Sequence, residues 1–100
     1  MSQQANYEFF APHQGKTFTV ALEETTLELT LHSVTKRDTA PKGWESFTLV
    51  FNGPKETMLE QAMYQLNHAD TGEQPVFLVP VAGDEMGFQY EAVYNIEVPA

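Results

Sequence analysis

The chain has 100 residues, 42% hydrophobic and 12% aromatic, which suits one domain with a single core and is too apolar for a disordered segment. Fourteen acidic and five basic residues give a net charge of −9, and with no cysteine, disulfides, thiolate chemistry and sulfur-ligated zinc are excluded. An acidic surface repels phosphate backbones and anionic lipid, and no apolar run approaches the roughly 20 residues of a membrane-spanning helix, so neither nucleic acid nor membrane is an expected partner.

The N-terminal Met1–Glu8 has no basic segment followed by an apolar run, so no secretory signal is expected and a soluble, cytoplasmic protein is the simplest reading. After Gly15, Phe18, Val20 and Leu22 alternate with Thr17, Thr19, Ala21 and Glu23, the period-two pattern of a strand with one face on a core. Leu27, Leu29 and Leu31 alternate with Thr26, Glu28 and Thr30 to give a second strand, joined to the first by a hairpin at Glu23-Glu24-Thr25. From Lys36 to Gly43 the apolar period is lost, Pro and Gly enter, and an exposed, mobile loop carrying three of the five basic residues is expected. A third strand follows, with Phe47, Leu49 and Phe51 on one face, ended by the turn residues Asn52-Gly53-Pro54.

The segment Lys55 to Asp70 supports two readings. Met58, Leu59, Ala62, Met63 and Leu66 fall at helical spacing after a proline, yet Ala62, Tyr64, Leu66 and His68 also alternate with Met63, Gln65 and Asn67. We read a helical turn over Glu56–Glu60 and a fourth strand over Ala62–His68, with a continuous helix to Leu66 as the alternative. A turn at Asp70–Glu73 then leads to Val76-Phe77-Leu78-Val79-Pro80-Val81, apolar on both faces, which predicts a doubly buried central strand or one closing a barrel. Pro80 lacks a ladder donor and should mark an edge, a bulge or a strand end. A glycine-flanked hairpin loop, Gly83–Gly87, precedes a last strand with Phe88, Tyr90, Ala92, Tyr94 and Ile96 on one face and Val93 on the other. Six short strands without a long helix predict an all-β domain over residues 1–100, a small six-stranded antiparallel barrel or rolled sheet with one helical turn.

Chemistry-bearing residues are sparse. His13, His32 and His68 lie on different segments with no close ligand spacing, so no metal site and no cofactor is expected. The only serines are Ser2, Ser33 and Ser46, none in a nucleophile elbow, and the Glu23-Glu24 and Asp84-Glu85 pairs lie in wet hairpin loops that give no reason for a raised carboxyl pKa. The Asp84-Glu85 loop also lacks the ligand density of a dedicated calcium loop. No catalytic residue is assigned.

Charge placement is more informative. The five bases, Lys16, Lys36, Arg37, Lys42 and Lys55, sit among six acids in residues 1–55, whereas residues 56–100 hold eight acids and no base, a segment charge of −8. The simplest reading is a solvating surface; the sharper one is a patch for a basic protein partner, with Asp84, Glu85 and Glu91 as candidate contacts. Trp44 is a candidate anchor, or a lid over one barrel end. Tyr64 and His68, sharing a strand face that Tyr90 and Tyr94 could meet, define the competing reading of a small-molecule-binding barrel or enzyme.

Three stretches, Phe9-x-x-x-His13-x-Gly15-x-x-Phe18, Phe47-x-Leu49-x-Phe51-x-Gly53-Pro54 and Leu59-x-Gln61-x-x-Tyr64-x-Leu66-x-His68, occur in one order with Phe77-Leu78-Val79-Pro80-Val81 and Tyr90-Glu91-Ala92-Val93-Tyr94-Asn95. Together they resemble a small family of uncharacterised bacterial domains, a domain of unknown function. In that family Gln61 is commonly followed by Gly, where this chain has Ala62. The resemblance implies a compact β domain, a bacterial or phage-associated source near genes for phage tail-collar-like proteins, and a role in assembly. It lends no catalytic residues, although His13 and Glu91 belong to the shared pattern.

Overall fold

The computed structural model describes residues 7–37 and 40–97. A helical turn α1 (Tyr7–Phe10) runs into a 3-10 turn (Ala11–His13), followed by β1 (Thr17–Ala21), β2 (Thr26–Arg37), β3 (Trp44–Gly53), β4 (Ala62–His68), β5 (Gly72–Asp84) and β6 (Gly87–Glu97). All pairings are antiparallel, and the order β1-β2-β3-β6-β5-β4 closes into a barrel-like ring through Thr19↔Asn67 and Val20↔Leu66. Each strand thus has a neighbour on both sides, which removes the free edge of an open sheet.

Period two dictates the interior. Phe18, Val20, Leu27, Leu29, Leu31, Phe47, Leu49, Phe51, Leu66, Val76, Leu78, Tyr90 and Ala92 are all buried around one core. The ring is filled by aromatic contacts, including the stacked pair Phe47–Tyr94 (4.7 Å between centroids) and the edge-on pair Phe18–Phe51 (5.8 Å). α1 contributes Phe10, which packs on both Phe47 and Tyr94, and its first N–H donates to Glu45 Oε1 at 2.8 Å. Between β3 and β4 the chain carries in Leu59, buried, with its N–H donating to the Tyr90 hydroxyl at 2.8 Å, so this polar tip inside the core is paired.

Several elements depart from the sequence reading. Residues 56–60 form no helical turn: Lys55-Glu56 is a simple turn and the following residues are irregular, while the helical turn lies at Tyr7–Phe10 instead. The strand read over Ala62–His68 is present with those bounds as β4, in place of the alternative helix through Leu66. β2 does not stop near Leu31 but continues to Arg37, so Lys36 and Arg37 pair with Phe47 and Ser46 rather than opening a loop; two residues of that expected loop, 38 and 39, lie outside the described residues. The register slips between Leu31 and Ser33, a bulge at His32 that shifts the alternation by one and returns Val34 to the core. A second slip, between Pro80 and Ala82, sits where Pro80 was expected to disturb the ladder.

The largest departure is in β5. Val76 and Leu78 are buried, but Phe77 and Val81 are 45% and 51% exposed, so this strand is not doubly buried. With a single ring and no second layer, nothing among the described residues covers its outer face.

Candidate functional site

Two features stand out: a histidine cluster at the β1–β4 seam and an apolar outer face on β4, β5 and β6. The first is built by local turns. Pro12 suits the early position of the 3-10 turn that ends at His13, and Gly15, at φ 88°, reverses the chain into β1. That reversal is tied down by Gly15 N–H donating to Leu31 O (2.7 Å) and Lys16 N–H donating to His13 O (2.9 Å). His13 thereby lies 6.3 Å from the Phe18 ring and 5.1 Å from the His68 ring, which is itself 5.2 Å from Phe18. His68, the last residue of β4, has the inward phase of Leu66 and precedes the turn to β5.

Asp70, in that turn, places Oδ2 3.8 Å from His13 Nε2 and 3.9 Å from His68 Nδ1. Its N–H donates to His68 Nδ1 at 3.0 Å. The expectation that the histidines stay apart holds for His32, exposed on β2, but fails for His13 and His68, which the barrel closure brings together. Asp70 was missed because the sequence marks it only as a turn residue; the His68-x-Asp70 spacing ahead of Gly72 was the available signal.

The remaining candidates do not converge. Tyr64 and His68 share a face but lie four residues apart, about 13 Å along a strand, with Leu66 between them. The Tyr64 hydroxyl donates to Glu60 O at 2.7 Å, and burial, reinforced by the Glu60 carboxylate and by Tyr90, raises its pKa. The shallow open depression at His68 is lined by Thr17, Thr19, Asn67 and Ala69, without Tyr64. Tyr90 and Tyr94 are used inside the core; Tyr94 is stacked on Phe47 and pushed up to about 12 by desolvation. Asp84 Oδ1 accepts the Met86 N–H at 2.8 Å, fixing the β5–β6 hairpin, and Glu85 is exposed in the same loop. Gly87 there has φ 143°, and a Cβ on it would collide with the Gly53 carbonyl. Trp44 is 47% exposed at the start of β3, opposite Glu97.

Glu91 belongs to the second feature. On the outer face, Met63 of β4 pairs with Phe77 of β5, and Val79 of β5 pairs with Glu91 of β6, placing Val93 diagonal to Val79. Met63 and Val93 are 59% and 54% exposed. Alternation adds Glu73 on β5 and Glu97 on β6 to the same face, so acids flank the apolar strip. Sequence reasoning noted Val93 and the two-sided apolarity of β5 but assigned that second face to burial.

The family model for a domain of unknown function (DUF6916) matches residues 5–94. The chain belongs to that family. No curated protein and no solved structure matches it. Among the described residues, no helix is long and apolar enough to cross a membrane.

Proposed function

We propose that this domain is a non-enzymatic protein-interaction module that docks through the outer face of β4, β5 and β6. The supporting observation is the strip formed by exposed Met63, Phe77 and Val93 with half-buried Val79 among them, on the outer side of adjacent strands. Covering such side chains is worth on the order of 1–2 kcal/mol each, a strong drive toward a partner of complementary shape. Because the ring pairs every strand on both sides, partners that add a strand are disfavoured and a face-on contact is favoured.

The flanking Glu73, Glu91 and Glu97, in a segment with no Lys or Arg after Lys55, point to a partner surface that is apolar with a basic rim. The same charges oppose docking of a second copy. An assembly role beside phage-tail-like proteins, in the cytoplasm or within a phage-like particle, is the setting that the family resemblance suggests. Affinity capture from the native cell tests the reading by comparing wild type with M63T/F77T/V93T. Loss of one specific partner, with wild-type binding that weakens as salt rises, is expected. An identical, salt-insensitive profile for both proteins would overturn it.

A further inference from the structure

Apart from the outer face, the seam cluster has a chemistry of its own. The ligand atoms of His13, His68 and Asp70 all lie within 4.8 Å of one another, supplied by the 3-10 turn and by the end of β4 with its following turn, two segments that barrel closure brings together. The His13 Nδ1 lies 3.2 Å from the Phe9 carbonyl oxygen. A carbonyl only accepts, so Nδ1 carries a proton, and the lone pair of the neutral tautomer this bond selects is on Nε2, the atom on the side of Asp70. A histidine with one nitrogen bonded to a backbone carbonyl and the other left as a lone pair is the outer-shell arrangement that orients metal-ligating imidazoles.

Both rings are mostly buried, with side chains 14% and 16% exposed and held by Phe18, whereas Asp70 is 72% exposed and can swing inward. From these observations we infer that His13, His68 and Asp70 form a binding site for a zinc-like divalent transition-metal ion. Two imidazoles and one carboxylate suit a borderline ion over calcium or magnesium, which prefer all-oxygen shells. Tetrahedral zinc at about 2.0–2.2 Å from its ligands requires them roughly 3.3 Å apart, so the Asp70 separations of 3.8 and 3.9 Å close by about half an ångström on binding, and the His13–His68 separation, within 4.8 Å, by up to about 1.5 Å. Three protein ligands leave a coordination position for water at the seam.

Binding carries a structural signature. If His68 Nδ1 ligates, its lone pair is withdrawn from the Asp70 N–H; if Nε2 ligates, the ring proton moves to Nδ1, which then no longer accepts. In either case the 3.0 Å bond from the Asp70 amide to Nδ1 breaks.

The test is titration of the full chain with zinc alone, followed by calorimetry and by NMR of the imidazole nitrogens and the Asp70 amide. The site predicts one ion per chain, perturbed His13 and His68 rings with an unmoved His32, and a displaced Asp70 amide. H13Q, H68Q and D70N should each weaken binding at least tenfold, with H32Q equal to wild type and calcium or magnesium giving no response. Absence of zinc binding up to millimolar concentration, or saturation that leaves both rings and the Asp70 amide unmoved, would overturn the inference. The NMR readings use wild-type protein and so stand even where a histidine variant fails to fold.

Discussion

β1 and β2 form a hairpin whose inward face is Phe18, Val20, Leu27, Leu29 and Leu31 and whose outward face is Thr17, Thr19, Thr26, Glu28 and Thr30. β4 and β5 form another hairpin that buries Leu66, Val76 and Leu78 on its inner face, with Ala62 and Tyr64 half-buried beside them, and pairs Met63 with Phe77 on the outside. Both hairpins line one core, and their clearest contrast is where they meet solvent. Since Thr and Glu suffice on the first hairpin, folding alone does not account for Met and Phe on the second. Exposed apolar residues flanked by Glu73, Glu91 and Glu97 are the contrast on which the proposed contact surface rests.

The contrast can be broken most forcefully from inside β5. Replacing Leu78, fully buried, with alanine should destabilise the domain by about 2–5 kcal/mol in chemical denaturation. A loss below 1 kcal/mol would mean that β5 is not part of the core wall.

The inward neighbour of Val93 gives a second, smaller effect. Tyr94 has its pKa raised by burial from 10.0 to about 12, so the folded state favours the neutral phenol. This contribution is fully present below pH 10 and is lost as pH rises through the folded value, on the order of 2 kcal/mol in total. Melting followed from pH 9 to 12 should therefore show a downward slope that Tyr94→Phe reduces; an unchanged slope would place the Tyr94 phenol in water.

On the outer face the expected effect nearly vanishes. Phe77→Thr, which gives β5 the residue type that β1 and β2 use outside, should cost about 1 kcal/mol or less, because Thr keeps strand propensity and the site is open to solvent. A cost comparable to that of Leu78→Ala would return Phe77 to the core, as its sequence context first suggested.

The six strands and their inward residues were legible because each apolar alternation holds over a whole element. Where the alternation shifted, the bulge at His32 hid the second half of β2; residues Met58 to Leu66 satisfied two periods at once, and there the strand Ala62–His68 was legible while the helical turn over Glu56–Glu60 was not borne out. Phe77 and Val81 were misplaced because apolarity on both faces of a strand is the same pattern whether the second face meets a helix, a sheet or another protein. The histidine cluster was illegible for a topological reason. His13 and His68 are 55 positions apart and meet only because β4 closes on β1, a pairing that no local pattern in either segment specifies.

Photo-crosslinking in the native cell tests the outer-face assignment most directly, with a photoreactive phenylalanine analogue placed at Phe77 in one protein and at Thr19 in another. The account predicts a discrete adduct to a single protein from position 77, competed away by excess wild-type domain, and none from position 19. Equal labelling from both positions, or no competable adduct from position 77, would contradict it.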